Sequence, residues 1–164
     1  GALARATSRG IPTVLVSTNP AAPLIALARI AILPDTGPEV LTGSTRLKAA
    51  TAQKMVLNAL STAAMVRLGK AYSNLMIDMI PTNEKLHIRS VGILRQASGV
   101  SEERARAALE EAEGVVRVAL VSLLAGVDAT TAGEALARHR PNPHRERDPS
   151  GIRSAVRELE RTLG

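Results

Sequence analysis

The chain has 164 residues, 45% of them apolar, enough to bury a core in one medium domain or two small ones. It contains no Cys, Phe or Trp and a single tyrosine, Tyr72, which argues against a disulfide framework, a thiolate metal site or an aromatic platform for stacking bases. The formal charge of +6 is unevenly spread, with eleven Lys or Arg against four Asp or Glu in residues 1–100 and ten against eleven in residues 101–164.

An anionic ligand in the first hundred residues is therefore expected, nucleic acid and small phosphates both being eligible. The longest apolar stretches fall far short of the ~20 residues that cross a bilayer, and the N-terminus lacks the basic, apolar and small-residue pattern of a signal sequence. The expectation is a soluble, cytoplasmic protein with no membrane partner.

In chain order, ALARATSRG reads as the tail of a helix stopped by Gly10, and IPTVLVST as a buried strand around Thr13 to Ser17. NPAAPL turns the chain, a short helical stretch covers Leu24 to Ala28, and RIAILP forms a second strand before DTGPE turns it again. Strand, crossover, strand and long helix is the pattern of an α/β unit with parallel strands. Two strands leave such a sheet incomplete, so the chain is expected to be the downstream part of a larger protein, the alternative being completion by another chain.

The spacing of Leu57, Leu60, Ala64 and Leu68, with Val56 and Met65 beside them, predicts a buried helix from about Ser44 to Leu68, ended by Gly69. NLMID reads as a short extended piece. A further helix starts in PTNEKL with Thr82 or Asn83 as cap and Glu84 in its first turn. SEERARAALEEAEG, VVRVALVSLLAG and DATTAGEALARH read as three short amphipathic helices, the first capped by Ser101. RPNPHRERDPSG reads as a polar linker, and 152–163 as a terminal surface helix with both charge signs interleaved.

The stretch most suggestive of chemistry is GPEVLTGSTRLKAATAQK, residues 37–54. If a helix begins at Ser44 or Thr45, Arg46 and Lys48 lie in its first turn, where the backbone dipole disfavours a cation by roughly 0.3 to 1 kcal/mol. One reading places a phosphate at the helix entrance, held by free amides, the hydroxyls of Thr42, Ser44 and Thr45, close approach at Gly43, and the two cations. The other makes Ser44 the cap and leaves Arg46 and Lys48 in water or paired with Glu39 and Asp35. No GxxxxGK[ST] pattern points to a nucleoside triphosphate. Glu39 is either an ion-pair partner or a contact for a ligand hydroxyl, and Glu84 and Lys85 either a solvated first turn or ligand contacts.

His87, His139 and His144 show no metal-ligand spacing, and His87 reads as a surface or packing residue on a helix flank. Glu102, Glu103, Glu110, Glu111 and Glu113 read as a solvated helix face.

The wording GPEVLTGSTRLKAATAQKMVLNALSTAAMVRLGKAYSNLMIDMIPTNEKL resembles the downstream signature of bacterial N-acetylmuramic acid 6-phosphate etherases, relatives of the glucokinase regulatory protein in the sugar isomerase domain superfamily. VSTNPAAPL is similar to the family's strand and turn, and the resemblance covers residues 1–99 closely. It implies an α/β fold: the C-terminal part of a doubly wound, five-stranded parallel sheet over residues 1–98, followed by a small ubiquitin-associated-like domain of three helices over 99–139. Residues 140–164, a linker and terminal helix, lie outside the resemblance.

The family also implies a reaction without a cofactor. The D-lactyl ether of N-acetylmuramic acid 6-phosphate is eliminated and water adds, giving N-acetylglucosamine 6-phosphate and D-lactate in cell-wall sugar recycling. The open-chain aldehyde acidifies the C2 proton, so one carboxylate removes it while a carboxylic acid protonates the departing lactate oxygen. The two glutamates of the family lie upstream of this segment, so no catalytic acid or base and no metal ligand is assigned here, and the segment alone is expected to be inactive. By resemblance Glu39, Ser44, Thr45, Arg46 and Lys48 line the sugar-phosphate pocket, while Asn83, Glu84 and Lys85, with Thr82, close over it or meet a second subunit of a homodimer. Ala50 departs from the glycine expected after KA.

Two other functions compete with the lyase. One is a non-catalytic sugar-phosphate-binding regulator that keeps the pocket and lacks the glutamates. The other is nucleic-acid binding through the basic excess, which steep salt dependence would reveal.

Overall fold

The computed structural model describes residues 1–163. The chain divides into two compact units, Gly1–Thr62 and Ala63–Gly164. Its secondary structure is rich in helix with two small sheets, compatible with an α/β fold.

In the first unit a helix α1 (Ala2–Ser8) precedes strand β1 (Val14–Val16), a 3-10 turn (Pro23–Leu27) and strand β2 (Ile30–Ile32). The strands pair in parallel, Val14 opposite Ile30, Leu15 opposite Ala31 and Val16 opposite Ile32. The crossover is fixed by local polar bonds: Asn19 Oδ1 accepts from the Ala21 N–H (2.9 Å), and Thr13 Oγ1 accepts from the Arg29 N–H (3.2 Å). Helix α2 (Lys48–Arg67) follows after a run of turns, four residues later than its sequence suggests.

The expected burial of α2 is not what the structure shows. Ala49 is its one buried residue, while Met55 is 67% exposed and Leu57 57%. The helix is apolar on most sides, a pattern that calls for cover all round, and two three-residue strands offer too little surface to supply it. The strands themselves leave Val14 and Ile30 exposed.

The second unit holds the hydrophobic core. Strands β3 (Ala71–Tyr72) and β4 (Leu75–Met76) form a minimal antiparallel hairpin, so the extended piece expected in NLMID acquires a partner strand. Helices α3 (Glu84–Ser98), α4 (Glu102–Glu111), α5 (Val116–Ala125), α6 (Ala129–Arg138) and α7 (Ile152–Leu163) pack together. Asn83, Ser101 and Asp128 cap α3, α4 and α6 by accepting the N–H of Leu86, Arg104 and Thr131. The core is aliphatic throughout: Leu94, Leu109, Leu120 and Ile152 are at most 1% exposed, each contributing about 1.5–3 kcal/mol by burial. Ala105, Ala108, Ala119, Ala132 and Ala135, all fully buried, let the helices approach closely.

Most of residues 140–147 is exposed, as a polar stretch would be, whereas residues 148–150 are held at the start of α7. Asp148 is buried and accepts from the N–H of Ser154 (2.9 Å) and Arg153 (3.3 Å) and from the hydroxyls of Ser154 and Ser150. Arg117 Nη2 donates to the Ser150 carbonyl (2.5 Å). The polar residues that suggested a solvated linker thus start α7, whose Ile152, Ala155 and Leu159 enter the core while Arg153 and Arg157 remain outside. The terminal helix is accordingly a half-buried one, not a purely surface element.

Gly151 marks the tightest passage. It adopts φ +78, and a Cβ there would fall into the His139 carbonyl oxygen, whereas Gly126 has φ +69 with open space beyond it. Gly126→Ala is therefore expected to cost about 1–2 kcal/mol of backbone strain, and Gly151→Ala more than about 3 kcal/mol because the chain must also move. Thermal unfolding checks this: a clearly larger fall in Tm for Gly151→Ala supports the close passage, and equal falls contradict it.

Candidate functional site

The entrance of α2 is organised by Glu39, nine residues upstream. Its Oε2 accepts the Lys48 N–H and its Oε1 the Ala49 N–H, both at 3.0 Å. The next two amides are satisfied by the chain itself: the Ala50 N–H donates to the Thr45 carbonyl (3.0 Å) and the Thr51 N–H to the Leu47 carbonyl (3.1 Å). All four amides at the helix start thus have internal partners, so a phosphate resting on free helix amides is replaced by a carboxylate of the protein. Neither is Ser44 the cap. It lies in a turn, where its N–H donates to the Leu41 carbonyl (3.0 Å) and its carbonyl accepts the Leu47 N–H (3.3 Å).

The Ala49 and Lys48 amides, in that order, hold the Glu39 carboxyl below its usual range, with a smaller contribution from the Lys48 charge. Asp35 is engaged locally, its Oδ1 accepting the Gly37 N–H (3.0 Å). Among the described residues neither Arg46 nor Lys48 makes an ion pair, so of the two alternatives the structure leaves them in water and not on Glu39 or Asp35. Both cations are exposed. They border an open depression of roughly 590 Å³ whose floor is Leu47, Thr51, Ala52 and Met55. Ala50 is half-buried in regular helix, where the backbone makes no demand for glycine.

Asn83, Glu84 and Lys85 lie in the second unit and are exposed. Asn83 is occupied as a cap, its Oδ1 accepting the Leu86 N–H (3.0 Å), and Glu84 sits in the first turn of α3, where an acid is favoured. The structure thus brings Glu39, Ser44, Thr45, Arg46 and Lys48 together in one short segment of the first unit and holds the second cluster in the other.

Of the histidines, His139 Nε2 lies 2.6 Å from Glu158 Oε2, while Arg138 Nε donates to Glu158 Oε1 (2.8 Å). These contacts join α6 to α7. The acidic face of α4 is solvated as expected, with Glu102 paired to Arg95 and Arg106 and Glu111 to Arg104. Among the described residues no group of three His, Cys, Asp or Glu could hold a metal ion, and no single helix is long and apolar enough to cross a membrane. Sequence reasoning missed the capping role of Glu39, because capping patterns are sought within three residues of a helix start. An acid preceding a cation-bearing helix start was the available sign.

Comparison with known proteins gives the class first. Residues 73–112 match a family model described as the C-terminal lid domain of glucokinase regulatory protein. That span includes Asn83, Glu84 and Lys85 together with β4, α3 and α4. More particularly, the chain is similar to proteins named N-acetylmuramic acid 6-phosphate etherase. It is 60% identical to that of Symbiobacterium thermophilum over 126 residues, 77% of this chain and 42% of the relative. It is 49% identical to that of Enterobacter sp. and 50% to that of Salmonella typhimurium over 140 residues, 85% of this chain and 47% of each relative. The resemblance read from the 37–86 wording therefore holds over most of the chain, which spans less than half the length of these relatives.

The carboxylate cap makes a titration prediction. A carboxyl held below its ordinary range contributes above that range and loses its contribution as pH falls through its lowered value. Carbon-detected NMR should show Glu39 titrating below an ordinary solvent-exposed glutamate of the same protein. A midpoint at or above that of the ordinary glutamate contradicts a carboxylate bonded to two amides.

Proposed function

We propose that this chain supplies the downstream part of a carbon–oxygen lyase that cleaves the D-lactyl ether of N-acetylmuramic acid 6-phosphate. The products are N-acetylglucosamine 6-phosphate and D-lactate. The observation that carries the reading is the pair of exposed cations, Arg46 and Lys48, which among the described residues make no ion pair and which border one open depression. The names of the relatives support the same substrate. Because the helix amides are all engaged, the phosphate is met by side chains: Arg46 and Lys48 supply charge, and Ser44 and Thr45 hydroxyl donors. Asn83, Glu84 and Lys85 cover the ligand or meet a second subunit.

No residue of this chain is given the proton transfers. The C2 base and the acid for the lactate oxygen are placed in the part of the full-length protein outside this chain, which the chain's coverage of under half of each relative leaves room for. The same proposal completes the β1–β2 pair into a doubly wound parallel sheet, supported by the exposure of Val14, Ile30 and the apolar residues of α2. It treats α4–α6 as a small ubiquitin-associated-like domain and places the enzyme in the cytoplasm as a homodimer.

A second reading, a non-catalytic sugar-phosphate regulator, is favoured by one observation, the match of residues 73–112 to the lid of a regulatory protein. Incubating the full-length protein with N-acetylmuramic acid 6-phosphate separates the two. Release of D-lactate is expected. Binding of the sugar phosphate without release supports the regulator, and neither binding nor release overturns both.

A further inference from the structure

The loop from Val40 to Leu47 has little to hold it in place by packing. Val40 is 94% exposed and Leu41 65%, and of its eight residues only Ser44 is even half-buried. Its shape rests on polar bonds: the Ser44 N–H to the Leu41 carbonyl, the Thr45 N–H to the Gly43 carbonyl, the Leu47 N–H to the Ser44 carbonyl, the Ala50 N–H to the Thr45 carbonyl, and the two by which Glu39 ties the start of the loop to the first amides of α2. The ligand groups proposed in this unit, Ser44, Thr45, Arg46 and Lys48, lie on that loop or immediately after it.

We propose that Glu39 is a positioning residue: by bonding the Lys48 and Ala49 amides it closes the 40–47 loop and sets Ser44, Thr45, Arg46 and Lys48 in place for a phosphorylated sugar. This rests on the sugar-phosphate reading above. It adds that Glu39 acts through the loop, with both carboxylate oxygens engaged by the protein. A second consequence follows from charge. An anion already occupies the helix entrance, so an incoming phosphate is directed away from the amides and onto the side chains of Arg46 and Lys48.

A loop tie governs how well the binding groups are presented and leaves the proton transfers alone, so its loss belongs in affinity. Glu39→Ala and Glu39→Gln in the full-length protein test this, the glutamine retaining one acceptor should the alanine variant fold poorly. In Glu39→Ala, protection of the Lys48 and Ala49 amides from hydrogen exchange should fall in the free protein. KM for N-acetylmuramic acid 6-phosphate should rise by roughly tenfold or more, with kcat within about twofold of wild type. Glu39→Gln should lie between. Should the wild type bind but not turn over, the same tenfold loss is read in titration calorimetry with N-acetylglucosamine 6-phosphate.

Faster exchange with unchanged KM or affinity would make the tie a purely structural one and overturn the inference. A fall in kcat at constant KM would overturn it too, by placing Glu39 in the chemistry. Wild-type protein that neither binds nor cleaves a sugar phosphate defeats the underlying reading, a result distinct from a variant that behaves like wild type.

Discussion

The start of a helix presents amide groups that must find acceptors, and in α2 the acceptor for the first two is a carboxylate from nine residues upstream. That single arrangement decides how the cation-rich segment is used. With the entrance filled from within by a carboxylate, Arg46 and Lys48 no longer add to an unneutralised partial positive charge. Among the described residues neither makes an ion pair. The mismatch between cations and helix dipole is relieved by Glu39, whose lowered proton affinity reflects the same two bonds. The amides that suggested a backbone phosphate site have internal acceptors, and the proposed reading gives the phosphate to side chains instead.

The rest of the molecule divides by where its apolar groups go. The second unit closes an aliphatic core without a single phenylalanine or tryptophan, relying on leucine, isoleucine and valine separated by alanine contacts. Polar side chains finish its helices, and Asp148 performs for α7 what Asn83, Ser101 and Asp128 perform for α3, α4 and α6. The first unit buries Ala49 and Thr13 and leaves its strands and long helix largely uncovered. Its parallel pair has both edges open, an arrangement that parallel sheets rarely tolerate without further strands and helices. The relatives it resembles extend well beyond the matched part, which is 42% of one and 47% of another.

What could be read from the sequence tracks how local each determinant is. Period-2 and period-3.6 patterning with nearby turn residues identified β1, β2 and α3–α6, and side-chain caps within three residues identified the starts of α3 and α4. The start of α2 was misjudged because Ser44 and Thr45 look like caps while Glu39 does the capping from a distance. Proline and charge marked residues 140–151 as solvated, yet Asp148 and Ser150 are buried, and the Ser150 carbonyl accepts from Arg117, 33 residues away in sequence. The apolar spacing of α2 predicted a buried helix, whereas the structure leaves Met55, Leu57, Leu60 and Met65 exposed. For the site, Arg46 and Lys48 were legible as unusual charges, whereas the loop closure that presents them was not.

The central claim is that these two cations bind a phosphorylated sugar through their side chains. Titration calorimetry on the full-length protein with N-acetylglucosamine 6-phosphate, comparing wild type with the Arg46→Gln/Lys48→Gln double variant, tests it most directly. The account predicts a loss of affinity of at least roughly tenfold on removing both charges, with no comparable change for unphosphorylated N-acetylglucosamine. Equal affinity of the two proteins for the 6-phosphate would contradict it.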